Sequence, residues 1–470
     1  MSPVRPVRLP RTDRERLLLV LALAVAVTVF TATVPLLRGW FDLRVYYGTV
    51  DTWVHHGGRI YDYRVPGTAY GFTYPPFAAV SMLPMALLGL RGAITAALLL
   101  NLVALGAVVW MAAGPVLRRY GWALTGCALA LFEPVRDTVS FGQVNLVLLA
   151  LVLTDAWLLT TGRPRWAGIG IGLAAAVKLT PALFIGLLLL AGRRRAAGVA
   201  TAVTGAATAL AVWVAPDASR YYWSEALWDT RRIGQLAYVS NQSLQGVLAR
   251  LAVPGEPSRA VWLVVVVAVL GFWAWRARRA VAVGDWWGAF ALTGLTACLV
   301  SPITWVHHLV WLLPSFAVLL RTGHARVAGA LYAVLCTSVV WLWFDDASGV
   351  DGFVGGSAYV WVTLGLLLWL PVDAAGQGPF GPATRSTSDT APAPSTAAPR
   401  IVQVSGQPGP LSDVTVAAAG ACTGPPAGIR TCTGACGPGC DTGRAASSEP
   451  TGSTRPAAPK PQSSSERASS

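Results

Sequence analysis

The sequence predicts an all-α polytopic membrane protein, and three of its features carry that prediction. Of its 470 residues, 54% are hydrophobic and only 12% are charged, whereas soluble globular proteins carry roughly 25% charged residues. Apolar runs of about 20 residues, each long enough to cross about 30 Å of hydrocarbon as a helix, recur along residues 1–371. Arg clusters separate these runs, as the positive-inside rule describes. These features exclude a soluble enzyme, a coiled coil and a disordered scaffold.

The formal net charge of +14 has an explanation in the membrane. In a soluble protein such an excess would indicate a nucleic-acid partner. Here the Arg residues lie between apolar runs, and residues 372–470 are nearly balanced, with seven Lys/Arg against six Asp/Glu. We therefore expect membrane lipids, and no nucleic acid, as partners.

The apolar runs divide the chain into three parts. Residues 1–16 are predicted as a basic cytoplasmic N-terminus, residues 17–371 as a transmembrane domain, and residues 372–470 as a tail. The run 17–37 is too long for a signal peptide and lacks a small-residue cleavage site, so we expect it to be retained as the first span. About twelve spans are predicted in all; the later ones lie near 75–90, 93–113, 120–134, 143–161, 166–191, 195–215, 259–275, 285–300, 305–320, 327–344 and 357–371.

The predicted spans leave three polar segments outside the cytoplasm, namely 38–74, 216–257 and 345–356. The stretch 114–165 has two possible orientations. Its Arg residues are cytoplasmic only if 75–113 crosses the membrane once, and 166–191 must then break at Lys178-Leu179-Thr180-Pro181 and cross twice. The side of the membrane on which residues 132–143 lie therefore stays open.

The tail has the composition of a disordered cytoplasmic segment. It is rich in Pro, Gly, Ser, Thr and Ala and has one aromatic residue, Phe380, so it cannot bury enough apolar surface to offset its chain entropy. Its cysteines lack the C-x2-C spacing typical of zinc sites, and neither a metal nor another cofactor is predicted. These tail cysteines are Cys422, Cys432, Cys436 and Cys440.

Asp42 is the candidate catalytic residue. It follows the first predicted span closely, where a lipid headgroup meets water, and polar groups at an outer cavity of a membrane protein are functional candidates. An isolated Asp in this place is also typical of a loop or a helix cap. Asp51 and Asp62, further along the same outer loop, fit that structural role better.

Five polar residues near span starts and in the outer segments are candidates for binding substrate. Amides can bind sugar hydroxyls and aromatic rings can stack on sugars, but interfacial aromatics and amides at helix starts are also common without a ligand. The five residues are Tyr74, Gln143, Asn145, Asn241 and Gln242.

Three basic residues complete the candidate site. His307 and His308 are adjacent at the outer start of a span, in a chain with only five His. Neighbouring helix positions point about 100° apart, so both cannot line one cavity equally, and zinc is disfavoured because metal pairs on helices prefer i, i+4 spacing. Lys178 lies in an otherwise apolar run, where an ammonium needs an anion, water or an interface within reach. We expect a phosphate or carboxylate partner for one imidazole.

The order of these motifs resembles one known family. In chain order the motifs are Asp42 with Tyr46-Tyr47, Thr73-Tyr74-Pro75-Pro76-Phe77, Gly142-Gln143-Val144-Asn145, Lys178-Leu179-Thr180-Pro181, Asn241-Gln242-Ser243-Leu244 and Ser301-Pro302 followed by Trp305-Val306-His307-His308. Over about residues 17–371 they resemble glycosyltransferase family 87, the actinobacterial polyprenol-phosphate-mannose-dependent mannosyltransferases of GT-C architecture.

The resemblance implies a multi-pass enzyme with its active site on the outer face of the plasma membrane, a lipid-linked sugar donor and a glycolipid acceptor. Family members build α-(1→2) mannosyl linkages on phosphatidylinositol mannosides, lipomannan or lipoarabinomannan. The family's catalytic Asp corresponds to Asp42, and its outer His pair to His307 and His308. A β-linked donor and an α-linked product imply inversion in one displacement, with Asp42 as general base. His307, His308 and Lys178 are then candidates to balance the charge of the leaving phosphate.

Two other functions stay open. Some relatives use decaprenyl-phosphate-arabinose, and the sequence does not distinguish the two sugars. A lipid-linked sugar transporter is the second alternative, although transporters tend to contain repeated broken helices and no internal repeat is found here. The P-loop and the common hydrolase motifs are also missing from the sequence. An enzyme of this kind would therefore take its driving force from an activated lipid.

Overall fold

The structure is a computed structural model that describes residues 39–372 continuously and, before them, residues 12, 14, 15, 17–22 and 25. The side chains of residues 115–120 are not described. Most of the predicted first span, nearly all of the basic N-terminus and the tail from residue 373 onward, with its four cysteines, lie outside the described residues.

The described residues form α-helices joined by short 3-10 segments and loops, and the only β-bridge among them is an isolated one between Arg64 and Gly71. The α-helices are α1 (Phe41–His55), α2 (Pro76–Ser81), α3 (Leu90–Leu131), α4 (Glu133–Phe141), α5 (Asn145–Thr160), α6 (Ile169–Val177), α7 (Leu183–Leu190), α8 (Arg194–Val214), α9 (Pro216–Ser224), α10 (Leu244–Ala252), α11 (Arg259–Ala282), α12 (Trp286–Val300), α13 (Leu313–Arg321), α14 (Ala325–Cys336), α15 (Gly349–Val354) and α16 (Ala358–Trp369). The 3-10 segments are Leu83–Leu87, Pro164–Trp166, Thr180–Ala182, Ala226–Trp228, Thr230–Arg232, Val306–Leu312 and Val339–Trp343.

Three long apolar helices identify a membrane protein. Residues Leu90–Gly114 of α3, together with α8 and α11, are long and apolar enough to cross a membrane, and α4 and α5, bent by 119°, would make a fourth span if counted as one. These helices expose large apolar side chains such as Val103, Trp213 and Val264, as expected for surfaces in contact with lipid. The fold is therefore confirmed as that of an all-α membrane protein, while the number of twelve spans stays a prediction.

Several predicted spans are divided into shorter helices. The stretch near 75–90 forms the six-residue α2 and the 3-10 segment Leu83–Leu87, and α2 is only about 9 Å long at 1.5 Å per residue. The stretch near 327–344 divides likewise into α14 and Val339–Trp343. Neither stretch forms one long helix. Pro84 lies inside the first 3-10 segment, where a residue without a backbone N–H weakens a regular helix.

The helix break at Lys178, which belonged to one of the two orientations left open by the sequence, is present in the structure. Helix α6 ends at Val177, Lys178 adopts an extended conformation with φ −148° and ψ 130°, and a 3-10 turn containing Pro181 leads into α7. An extended residue lies outside the helical region of φ and ψ and so interrupts the helix. The Lys178 side chain therefore projects from the gap between the end of α6 and the 3-10 turn that precedes α7.

Two hydrophobic cores organise the described residues. The aliphatic core is built from α5, α6, α7, α12, α13 and α16 and includes Leu149, Ile171 and Phe290. The tyrosine-rich core is built from α1, the loop that follows it, α2 and α9, and its members include Tyr46, Tyr61, Phe72, Tyr74 and Tyr222. Val144 and Val177 pack against both cores and so mark the seam between them.

Candidate active site

A cavity of about 800 Å³ lies at this seam. Its walls come from the start of α1, the end of the first outer loop, the link between α4 and α5, the break after α6 and the segment that precedes α13. Six of the nine predicted site residues line it, namely Asp42, Tyr74, Gln143, Lys178, His307 and His308. The structure thus brings together side chains that are up to 266 positions apart in the chain.

Asp42 lies in the first turn of α1 and accepts a hydrogen bond from Gln143 Nε2 at 2.7 Å from its Oδ2. The link between α4 and α5 makes this contact possible. Gly142 has a φ of +70°, and a Cβ there would lie 2.5 Å from the Cβ of Leu43. Only glycine combines that left-handed conformation with so close an approach to α1.

A chain of hydrogen bonds fixes the orientation of the Gln143 amide. Tyr46 donates its hydroxyl proton to Tyr74 at 3.1 Å, and Tyr74 donates to Gln143 Oε1 at 2.9 Å. Because the amide oxygen is occupied by a donor, the amide NH2 is left to face Asp42. Burial raises the pKa of both tyrosines above their usual range, so both remain neutral phenols.

Asp42 is a stronger base than an ordinary aspartate. Burial raises its pKa to about 6, against the lowering effect of the Gln143 hydrogen bond. A positive charge on Lys178 also lowers it. Most of the carboxyl groups are therefore ionised at pH 7, and the carboxylate faces the cavity with a higher proton affinity than it has in water.

Lys178 extends from the break after α6 into a group of polar side chains. Its Nζ lies 3.0 Å from Asn145 Oδ1, 2.8 Å from His308 Nε2 and 3.5 Å from the Tyr74 hydroxyl. It also lies 5.0 Å from the centroid of the Tyr74 ring. Asn145 does not line the cavity, but its Oδ1 accepts the hydrogen bond that positions Lys178.

The contact between Lys178 and His308 constrains their protons. The backbone N–H of Trp305 donates to His308 Nδ1 at 3.1 Å. A neutral imidazole that accepts at Nδ1 carries its proton on Nε2. That N–H then faces Lys178 Nζ, so a good hydrogen bond at this distance requires the lysine to accept as a neutral amine. The lysine can take up a proton when an anion enters the cavity.

His307 plays a different part from its neighbour. Its ring packs 5.2 Å from Phe141 and 4.7 Å from His308, measured between ring centroids, and its backbone carbonyl accepts hydrogen bonds from Thr138 and Asn145. Both histidines line the cavity, but it is His308 that contacts Lys178. The planes of the two rings meet at 84°.

Asn241 and Gln242, which the sequence suggested as substrate-binding residues, do not line the cavity. Asn241 donates to the carbonyls of Leu236 and Pro302 and accepts from the backbone of Thr304. The Gln242 amide is equally occupied by backbone groups, which are those of Val239, Gly356, Tyr359 and Val360. Both side chains are fully buried and stabilise the chain around them.

The end of the stretch 132–143 lies beside the first turn of α1, because Gln143 donates a hydrogen bond to Asp42. Glu133 does not line the cavity: it accepts a 2.6 Å hydrogen bond from Trp341 Nε1 and another from the Tyr359 hydroxyl. Arg136 donates to Ser338 at 2.8 Å.

Among the cavity residues to which sequence reasoning gave no role are three aromatic residues and one arginine. Tyr238, Trp305 and Trp341 form one wall, with Tyr238 6.0 Å from Trp305 and 6.2 Å from Trp341 between ring centroids. Arg232, from the second outer segment, is the fourth. Trp305 stands inside the histidine motif and was the one signal available; the others follow no pattern. No group of three or more His, Cys, Asp or Glu suited to a metal occurs among the residues that the structure describes.

Comparison with known proteins decides the family. The profile of glycosyltransferase family 87 matches residues 72–302. A polyprenol-phosphate-mannose-dependent alpha-(1-2)-phosphatidylinositol mannoside mannosyltransferase of Mycobacterium tuberculosis is 34% identical over 64% of this chain and 72% of that protein. The chain belongs to glycosyltransferase family 87. This family member is therefore a glycosyltransferase.

Two further relatives of this family 87 glycosyltransferase extend the match. A protein of the same name from Mycolicibacterium smegmatis is 33% identical over 69% of the chain and 79% of its own length. A Mycobacterium tuberculosis polyprenol-phosphate-mannose-dependent alpha-(1-2)-phosphatidylinositol pentamannoside mannosyltransferase is 32% identical over 77% of the chain and 88% of its own length. No solved structure matches.

Proposed function

We propose that this protein transfers mannose from polyprenyl-phosphate-mannose to a mannoside hydroxyl of a phosphatidylinositol mannoside or lipomannan. The reaction takes place on the outer face of the plasma membrane, in a GT-C enzyme of about twelve spans. The observation that carries the proposal is the contact of Asp42 with Gln143 in a cavity that also holds Lys178 and His308. That cavity offers a base for the acceptor and basic groups for the donor phosphate.

In the proposed displacement, Asp42 acts on the acceptor hydroxyl, and Lys178 and His308 act on the donor phosphate. The acceptor hydroxyl oxygen attacks the anomeric carbon and forms the new glycosidic bond, while the bond between that carbon and the phosphate oxygen breaks. The phosphate leaves with the electron pair, and the hydroxyl proton passes to Asp42. Because the carboxylate is a weak base towards a sugar hydroxyl, the proton moves late, once the oxygen has begun to bond.

Lys178 and His308 serve the leaving group. Lys178 takes up a proton from water as the phosphodiester enters the cavity, and the resulting ammonium donates to the phosphate oxygen that is released when the bond to the anomeric carbon breaks. Both donors strengthen as charge builds on the phosphate in the transition state, which is where such interactions accelerate a reaction. His307, Tyr74 and Gln143 border the same space and are the remaining candidates to contact the sugars.

The identity of the donor sugar rests on the relatives. The names of the relatives specify polyprenol-phosphate-mannose, and arabinose has no such support. The test supplies membranes containing the protein with synthetic polyprenyl-phosphate donors carrying labelled mannose or arabinose and with a mannoside acceptor. Product linkage is then read by mass spectrometry.

We expect an α-(1→2)-linked mannoside with the wild-type protein and none with Asp42→Asn. Transfer of arabinose would replace the substrate but keep the mechanism. Transfer from neither donor, by a protein shown to be folded, would reject the proposed function and bring the transporter alternative forward.

A further inference from the structure

Arg232 is a further basic group in the cavity, besides Lys178, His307 and His308, and it packs against two tyrosine rings. Its guanidinium carbon lies 5.5 Å from the ring centroid of Tyr61 and 5.2 Å from that of Tyr221. A planar guanidinium held by two aromatic rings keeps its N–H groups fixed in direction. The side chain belongs to the 3-10 segment Thr230–Arg232 and lines the same cavity as Asp42.

The hydrogen-bonding capacity of Arg232 is incompletely used. Its Nη2 is buried and has no acceptor among the described residues. The nearest acidic residue in the segment, Asp229, pairs instead with the neighbouring Arg231, at 3.3 Å. A buried N–H of a charged group without an acceptor is costly, and it marks a place where a ligand oxygen improves the structure.

Tyr61 does not neutralise Arg232. Burial raises the pKa of Tyr61 above its usual range, so its hydroxyl stays protonated. The Tyr61 hydroxyl is already committed as a donor to the carbonyl of Tyr74, at 2.8 Å. Through this bond Tyr61, which packs against Arg232, contacts Tyr74, the residue that donates to Gln143.

We propose that Arg232 binds a phosphodiester oxygen of a lipid-linked substrate. This inference rests on the proposed function, in which two lipid phosphodiesters approach one cavity: that of the donor, and that of a phosphatidylinositol-based acceptor. Lys178 follows helix α6 and His308 lies in the 3-10 segment Val306–Leu312, both of which contribute to the aliphatic core, whereas Arg232 packs on Tyr61 of the tyrosine-rich core. Two separate basic sites suit two anions, and the planar guanidinium can bind a phosphate through two parallel hydrogen bonds.

The first experiment measures binding without any transfer chemistry. Purified protein in phosphatidylcholine nanodiscs is titrated with decaprenyl monophosphate or phosphatidylinositol, and with decaprenol or diacylglycerol as the uncharged counterparts. We expect Arg232→Gln to weaken binding of at least one phosphorylated lipid by about tenfold, the value of one charge-assisted hydrogen bond. Arg232→Lys should lie between, because it keeps the charge and loses the planar fork.

Arg231→Gln is the matched control. Arg231 is the adjacent residue, its side chain is 92% exposed, and it does not line the cavity, so its loss should leave binding of both lipids unchanged. Thermal unfolding of each variant checks that it is folded. If Arg232→Gln does not fold, Arg232→Lys against Arg231→Gln gives the comparison.

The second experiment assigns the phosphodiester. Transfer is measured with a phosphatidylinositol mannoside acceptor and with a neutral alkyl mannoside. If the Arg232→Gln enzyme has a raised KM for the donor with both acceptors, Arg232 binds the donor phosphate. If it has a raised KM only for the phosphatidylinositol mannoside acceptor, Arg232 binds the acceptor phosphate. Unchanged binding of both phosphorylated lipids in folded Arg232 variants overturns the inference. Because the binding experiment needs no transfer, it decides on Arg232 even if the proposed reaction fails.

Discussion

The aliphatic core and the tyrosine-rich core treat their buried polar groups differently. In the aliphatic core these groups bind one another: Asp155 accepts from the backbone of Ile171 at 2.7 Å, and Trp273 donates to Thr293 at 3.0 Å. In the tyrosine-rich core the hydrogen bonds lead outward from Tyr46 through Tyr74 to the cavity. These hydrogen bonds of the aliphatic core stay within that core, whereas those of the tyrosine-rich core orient side chains that line the cavity.

The site lies where the two cores meet. Val144 and Val177 pack against both, and the functional side chains are their sequence neighbours: Gln143 and Asn145 flank the first, and Lys178 follows the second. The bond from Gln143 to Asp42 joins the two sides. The comparison teaches that the geometry of the candidate site depends on the seam between the two cores.

Loss of Lys178 should have the largest effect on the aliphatic side of the seam. We expect Lys178→Met to lower kcat roughly 10²–10³-fold, as for the removal of one fixed transition-state donor, because the leaving phosphate then lacks its cation. Single-turnover rates with labelled donor measure the loss. Lys178→Arg keeps a cation and should recover part of the rate; equal activity of Lys178→Met and wild type would contradict the assignment.

The next effect tests the seam itself. Gly142→Ala would place a methyl group 2.5 Å from the Leu43 Cβ at a φ of +70°, and we expect the displacement of α1 to reduce transfer by about 10²-fold and to lower the unfolding temperature. Gly198→Ala is the control, since Gly198 lies in helix α8 with open space around it. A Gly142→Ala enzyme with normal activity would show that the close approach is dispensable.

The smallest effect is a shift in pH dependence. With a carboxyl pKa of about 6, kcat/KM should rise with pH through that value, because only ionised Asp42 accepts the proton. Gln143→Leu removes a hydrogen bond that lowers this pKa, so the midpoint should move to higher pH. Gln245→Leu, on α10 and away from the cavity lining, serves as the matched control and should keep the wild-type midpoint. A midpoint that stays fixed in Gln143→Leu would rule out this positioning role.

Much of the site could be predicted from single residues whose burial needs a reason. Asp42, Lys178 and His308 are costly in apolar surroundings, and the Lys-Leu-Thr-Pro motif marks the place where the sequence allowed a break as one of two alternatives. Asn241 and Gln242 lie away from the cavity, and an amide satisfied by backbone carbonyls looks the same in sequence as one that binds a sugar. Arg232 was missed because an Arg in an outer segment normally lies in water, and only the folded loop encloses it between tyrosines.

The fold was predictable in class but less so in detail. Composition alone gives an all-α membrane protein, since nothing else accommodates so many apolar runs. The lengths of the helices depend on Pro, Gly and packing at each end. Continuous apolar runs such as that near 75–90 therefore conceal two short segments.

The most direct test of the central claim compares two aspartates of helix α1. Asp42 lines the cavity. Asp51 lies in the same helix but does not line the cavity, and it pairs with His56 at 3.3 Å. Single-turnover transfer and donor binding are measured for Asp42→Asn and Asp51→Asn. We predict that Asp42→Asn binds donor normally and loses transfer by at least about 10²-fold, while Asp51→Asn behaves as wild type. An Asp42→Asn enzyme that transfers mannose at the wild-type rate would contradict the account.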